Sequence, residues 1–289
     1  MLNLRKIIGI TVVIVALAAF AAVTYSYFSS TGGEEEKQQV WWIASDPHLG
    51  NYPERPLSNL QVAIQDVNDL GIADHAAILG DLVYNLGEYA DDFLQLMDNL
   101  EVEKWYYVLG NHDFDRTTRD NVLPVFYEGV DVLGIRFVFI STEVGYQDGS
   151  YVLDGRMGEE KFNWLWMELY GHRDQPIFMF SHQPYDKWNI WSDLASLIQG
   201  EVNVNVWFCG HMHEWIINEN VQPYGFTEVC DSSLDWADHY HGVFLFLQRE
   251  GDTVNVTIKF RNHLNHEWIS VRTVYGRMVE NINFSVKVA

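Results

Sequence analysis

From residue 40 onward the chain alternates between two apolar periods. Mainly apolar runs at 40–45, 74–79, 104–109, 177–181 and 202–209 read as strands, the first of them buried. Between them Leu57, Leu60, Ala63, Ile64, Val67 and Leu70 recur at helical spacing behind Ser58, a plausible N-cap. Phe93, Leu94, Leu96, Met97 and Leu100 mark a second helix. Phe162, Leu165, Trp166 and Leu169 stripe a third, and Leu194, Leu197 and Ile198 a short fourth. Residues 132–141 read as one strand interrupted by Gly134. After His213 the helices stop, and 215–218, 226–230, 242–248 and 253–260 alternate as strands. There is no internal repeat and no low-complexity tract.

Strand-helix-strand units gather parallel strand ends on one side of a sheet, and ligands bind beyond those carboxyl ends. Five polar clusters sit where strand-like runs stop: Asp46-Pro47-His48, Gly80-Asp81, Gly110-Asn111-His112-Asp113, Ser181-His182 and Gly210-His211-Met212-His213. One such turn is an ordinary feature of a loop, whereas five of them converge poorly by accident. Imidazoles and carboxylates with one amide oxygen suit Zn, Mn or Fe, and the lack of thiolate ligands argues against a structural zinc site. A single carboxylate can bridge two ions about 3.5–4 Å apart, the spacing used for in-line displacement at phosphorus, and Asp81 is the candidate bridge.

The ordered set resembles the calcineurin-like metallophosphoesterase family, directly over residues 46–213. That resemblance implies a four-layer α/β/β/α sandwich of two mixed β-sheets flanked by helices. It implies two metal ions, divalent or mixed-valence (Mn, Fe or Zn). One would be held by Asp46, His48, Asp81 and His213, the other by Asp81, Asn111, His182 and His211. In the family a metal-bridging hydroxide attacks phosphorus. His112 would then stabilise the transition state and protonate the leaving oxygen, with Asp113 orienting its ring. The stretch Gly80-Asp81-Leu82-Val83-Tyr84 is similar to the purple acid phosphatase branch, where that tyrosine binds ferric iron, but there the first motif ends in glycine. His48 is therefore expected to take the ligand position and Tyr84 to pack or line the site.

Charge and the N-terminus narrow the setting. The 289 residues carry a net charge of −22, spread along the chain, which disfavours nucleic acid and anionic membrane surfaces as general partners. A small-molecule phosphoester is the expected substrate. Residues 7–28 are uncharged, and at about 1.5 Å per residue they reach roughly the 30 Å of a hydrocarbon core. Arg5 and Lys6 precede them, so the positive-inside rule leaves the rest of the chain outside the cytoplasm. The chain thus divides into an N-terminal transmembrane anchor or cleaved signal (1–28), a solvated linker (29–39) and one phosphoesterase domain (40–289). The expected location is the cell membrane with the catalytic domain extracytoplasmic, or secretion if the segment is cleaved.

The remaining signals are smaller. Cys209 and Cys230 lie in apolar runs and are expected as two buried thiols. Asn255 and Asn283 head Asn-x-Ser/Thr triplets. His239 and His241 are expected as solvated loop histidines, Arg116 and Arg119 as surface groups or phosphate holders, and Trp188, Trp191 and Trp236 as packing residues. Tyr185, Trp188 and Trp236 form a candidate aromatic rim. Besides a dimetal phosphoester hydrolase, two other readings stand: a non-catalytic, metal-stabilised binding module of the same fold, and a redox metalloprotein using Tyr84. His112, which the resemblance makes no metal ligand, favours the hydrolase.

Overall fold

Trp41 and Trp42 are consecutive in the first strand, β1 (Lys37–Ala44), and both are fully buried, in different cores. Trp41 and Ile43 face one apolar cluster, while Val40, Trp42 and Ala44 face another. A strand apolar on both faces needs cover on both, and this accounts for its unbroken hydrophobic run. In the computed structural model residues 37–289 are described, except 52–57, 85–86, 116, 119, 142–145, 148–149, 152–157, 188–194, 197, 200–201, 235–239 and 273–275. The uncharged segment 7–28, most of the linker, Arg116, Arg119, Trp188, Trp191, Trp236, His239, Leu194 and Leu197 lie outside the described residues.

β1, β2 (His75–Leu79) and β3 (Lys104–Val108) pair in parallel. Helices α1 (Asn59–Leu70) and α2 (Ala90–Met97) follow β1 and β2. The Ser58 hydroxyl caps α1 by accepting from the Gln61 amide at 3.1 Å, as the sequence suggests. The other sheet contains an antiparallel pair, β4 (Tyr127–Val132) and β5 (Ile135–Ile140), followed by β6 (Ile177–Ser181) and β7 (Val204–Cys209). β5, β6 and β7 run parallel, and α3 (Glu159–Gly171) lies between β5 and β6 in sequence. The run 132–141 is therefore not one interrupted strand. Leu133 and Gly134 form a turn, and the polar residues before them make an antiparallel strand.

After β7 the chain adds β8 (Ile216–Asn218) and β9 (Thr227–Cys230) to the second sheet. It then returns to the first sheet with β10 (His241–Glu250), β11 (Thr253–Asn262), β12 (Glu267–Ile269) and β13 (Asn281–Lys287). The first sheet reads β12-β11-β10-β1-β2-β3, with β13 also on β11; the second reads β8-β9-β7-β6-β5-β4. Three apolar cores separate four layers. Phe137, Phe139, Phe178, Phe180 and Phe208 fill the space between the sheets with Trp41 and Tyr106. Leu60, Ile64, Val67, Phe93 and Met97 seal α1 and α2 on the first sheet, and Leu165 and Leu169 seal α3 on the second. This is the expected α/β/β/α sandwich of two mixed sheets, and it brings the carboxyl ends of β1, β2, β3, β6 and β7 to one edge.

A candidate metal centre at the strand ends

Beyond the strands, the loops continue to pair through their backbones. The Asp46 amide donates to the Gly80 carbonyl at 3.0 Å, the His48 amide to the Asp81 carbonyl at 2.9 Å, and the Gly210 amide to the His182 carbonyl at 2.9 Å. This register brings the candidate ligands of the five clusters near one point. Two groups form. The ligand atoms of Asp46, His48, Asp81 and His213 lie within 4.8 Å of one another, and so do those of Asp81, His182 and His211. Asp81 belongs to both. Its Oδ2 is 3.2 Å from His48 Nε2 and 3.1 Å from His182 Nε2. Asn111 joins the second group, its Oδ1 3.1 Å from His182 Nε2, with the Gln183 amide donating to the same oxygen at 3.3 Å.

Several contacts fix the orientation of these groups. His182 Nδ1 sits 2.7 Å from the Leu79 carbonyl, which makes Nδ1 the donor and directs Nε2 toward Asp81 and Asn111. Asp46 has His213 Nε2 at 2.9 Å on Oδ1 and accepts the His211 amide at 3.0 Å on Oδ2. The His112 amide donates to Asp81 Oδ1 at 2.7 Å. Two glycines are required by this crowding: a Cβ on Gly210 would stand 2.6 Å from Asp46 Oδ2, and one on Gly110 would collide with Asp81 Oδ1. The backbone is also displaced toward an unfavourable region. Of eight described non-glycine residues with positive φ, five are Asp46, His48, Asp81, His211 and His213, at 43° to 68°.

Burial and mutual charge set the titration of the cluster. Burial opposes ionisation of Asp81, yet His182 and His48 hold its pKa well below the usual carboxylate range. Burial likewise opposes a charge on His182, but Asp81 and Asp46 hold its pKa up at about 9. His211 is pushed down to about 4 by burial and by His182. His112 is also pushed to about 4, chiefly by burial.

His112 lies beside the groups without belonging to either, its ring centroid 5.1 Å from that of His48. Asp113, which the resemblance makes the orienter of the ring, has both carboxylate oxygens on backbone amides. Its Oδ1 accepts the Val83 amide at 3.0 Å and its Oδ2 the Gly110 amide at 2.8 Å, so the carboxylate holds the loop that carries Asn111 and His112. Burial and Asp81 raise it to about 7. Asp231 escaped the sequence reading because it follows a strand with no motif around it. It is buried at the end of β9, and burial together with neighbouring Asp46 pushes it well above an ordinary carboxyl.

Two further expectations change. Cys209 and Cys230 are not free thiols but a disulfide joining β7 to β9, where the two residues are register partners with Cα atoms 4.5 Å apart. His241, expected in solvent, is half-buried with Nδ1 3.2 Å from the Ser232 hydroxyl; Tyr185 is half-buried and packs against Trp207 and Phe226.

The sequence profile of the calcineurin-like phosphoesterases matches residues 41–215, more than half of the chain. The chain belongs to this family. As a calcineurin-like phosphoesterase it is a metal-dependent enzyme acting on phosphate esters. Among curated proteins no sequence matches it. Two solved structures share its fold. A dimetal phosphatase from Danio rerio superposes with a TM-score of 0.60 at 14% identity, covering 87% of this chain and 99% of that one. A purple acid phosphatase from yellow lupin seeds gives 0.57 at 15% identity, covering 88% of this chain but only 55% of its own.

Proposed function

We propose that this calcineurin-like phosphoesterase uses two metal ions to hydrolyse small phosphoesters outside the cytoplasm. The observation that carries the proposal is the sharing of Asp81 between two ligand groups, with His112 at their edge and in neither. The donors fit the implied ions: carboxylates and imidazoles, buried or half-buried and converging at under 5 Å within each group, with the Asn111 amide oxygen beside the second, suit Mn, Fe or Zn. Asp46, His48, Asp81 and His213 would hold one ion, and Asp81, Asn111, His182 and His211 the other. Bound there, the cations supply Lewis acidity toward phosphoryl oxygens and lower the pKa of water.

The rest of the chemistry falls to the chain. The His112 amide fixes Asp81 Oδ1, so the loop that carries the ring also orients the shared carboxylate. With its pKa lowered to about 4, the His112 ring is neutral at neutral pH and keeps one N–H, which serves as a hydrogen-bond donor to the departing oxygen. Asp113 acts through the backbone as a positioning residue. A metal-stabilised binding module would need no such group as His112 beside its ligands. His112→Ala is expected to keep both metals and the fold while lowering kcat by about 10² or more, measured on a small aryl phosphate with metal content determined in parallel. Unchanged kcat removes His112 from the mechanism.

Location rests on the uncharged stretch 7–28 behind Arg5 and Lys6, and the Cys209–Cys230 disulfide supports an oxidising compartment. Protease added to intact cells should release the catalytic domain by cutting near 32–36; complete protection until lysis would reverse the orientation. The net charge of −22 and only 18 Lys and Arg in the chain favour small phosphoesters over long nucleic acid.

A further inference from the structure

Asn111 differs from the other candidate ligands in having a side chain with two ends of nearly the same shape and opposite polarity. Its carboxamide oxygen can bind a cation, whereas the NH2 end is a donor with no lone pair to give and repels one. The carboxylates of the set have two equivalent oxygens and no such ambiguity. A site that uses an amide ligand therefore needs a neighbour to set which end faces the ion.

His182 Nε2 lies 3.1 Å from Asn111 Oδ1 and Gln183 Nε2 donates to the same oxygen at 3.3 Å, all three residues being buried. With an ion in place the imidazole cannot do the orienting. Its Nδ1 holds the Leu79 carbonyl, so Nε2 is the nitrogen that would give its lone pair to the ion, and a ring with no proton there holds no oxygen. The Gln183 carboxamide keeps its N–H whatever the ring does. The Asn111 oxygen has two lone pairs, one for that N–H and one for the ion.

Gln183 is itself held from behind. Trp207, fully buried on β7, donates from Nε1 to the Ser181 hydroxyl at 2.8 Å, and that hydroxyl donates to the Gln183 carbonyl at 2.7 Å. Ser181 is fully buried as well, at the end of β6, and its bond to the Gln183 carbonyl spans His182 and fixes the backbone on both sides of it. Hydrogen bonds thus lead from the second sheet, through Ser181 and Gln183, to the ligand oxygen.

We propose that Gln183 is a positioning residue of the second ion's site: its N–H keeps the oxygen of Asn111, and not the nitrogen, turned toward the ion, while Ser181 and Trp207 set its own place. The inference rests on the two-ion reading. It adds a residue that ligates nothing and governs one ion rather than both, because Asn111 lies beside the group of Asp81, His182 and His211.

The test is a double-variant cycle on the full chain in detergent, read by metal binding and not by turnover. Manganese(II) is added to chelator-treated protein and the free ion is counted by electron paramagnetic resonance, which gives the Kd of each ion. Gln183→Met keeps the length of the side chain and removes its N–H. It is expected to weaken the second ion about tenfold, the lower end of the range for removing the partner of a metal ligand, and to leave the first within about twofold. Asn111→Asp makes both ends of that side chain oxygen, so nothing remains to be oriented. In that background Gln183→Met should change the second ion by less than about twofold.

A role in packing alone would lower the affinity equally in both backgrounds, and that result overturns the proposal, as does an unchanged second ion in the parent background. If Gln183→Met does not fold, Gln183→Leu takes its place in the same cycle. A parent that binds one manganese per chain defeats the dimetal reading itself. A parent that binds two, without the expected shift in the variant, defeats only the role of Gln183.

Discussion

The rings of Tyr84 and His112 lie stacked, with centroids 4.8 Å apart and planes 15° from parallel. Tyr84 also meets His48 edge-on at 5.6 Å, so the tyrosine that in purple acid phosphatases binds iron is turned here toward two histidine rings. Stacking of this kind contributes about 0.5–1.5 kcal/mol and fixes the plane of the ring from which His112 donates. Tyr84→Ala is expected to lower kcat about threefold to tenfold with little change in metal content, whereas Tyr84→Phe, which keeps the face, stays near the parent. Iron-loaded protein should show no tyrosinate charge-transfer band in the visible region; a purple protein would assign Tyr84 to the metal.

Asp81 is the shared member of both ligand groups, and its removal should be felt by both. Asp81→Ala is expected to lose both ions together, because it removes the shared carboxylate and leaves two like charges adjacent, with Asp46 on one of them only. Elemental analysis after desalting reads the outcome. Retention of near-complete occupancy would sink the dimetal reading.

Away from the centre, Asp66 on α1 is the hub of a buried charge network. Arg261 Nε and Nη2 reach its two oxygens at 2.6 and 2.7 Å, His263 Nδ1 lies 2.8 Å away, and His266 approaches from the surface at 2.5 Å. Trp42 donates to the far nitrogen of His263 at 3.1 Å, tying the network to β1. Burial opposes the charge, but Arg261, His263 and His266 hold the Asp66 pKa well below its ordinary value. A depressed folded-state pKa contributes stability that is present above the unfolded value of about 4 and is lost as pH falls below it. Asp66→Ala strands a buried guanidinium and should cost about 3–5 kcal/mol at neutral pH. Denaturant melts at pH 7 and pH 3 check both statements: the parent should lose more stability between them than the variant does.

The Cys209–Cys230 bridge spans 21 residues of sequence, a loop length for which cross-linking stabilises by about 3 kcal/mol. Reductant should lower the unfolding midpoint accordingly, and thiol titration of the unfolded, unreduced chain should find no free cysteine. Two thiols per chain would return these residues to the buried pair that their apolar surroundings suggest.

The site was legible in the sequence because each of the strands leading to it closes on an apolar stretch, and the polar residues that follow mark the sheet edge. What the sequence hid depends on long-range pairing. β4 is a half-exposed strand rich in polar residues, and only its partner β5 makes it a strand. Asp66 and His263 are 197 residues apart, and no local pattern joins them. The two cysteines could be matched only once β9 was known to lie beside β7. Asn255 and Asn283 show the same effect: their triplets face each other on β11 and β13, where Ser285 donates to the Asn255 amide oxygen at 2.7 Å and Thr257 to that of Asn283 at 2.8 Å. The role of Asp113 was set by two backbone amides, which carry no side-chain signature.

Five candidate ligands hold left-handed backbone, at a cost on the order of 1 kcal/mol each even for Asp and His, which tolerate that region better than most residues. In metal-free protein no metal–ligand bond helps to offset that cost. Glycine at His211 or His213 would relax the chain. A directed-evolution screen that rewards heat resistance alone, run on chelated protein, would therefore discard the chemistry first and arrive at a sturdier, inert copy of the same sandwich.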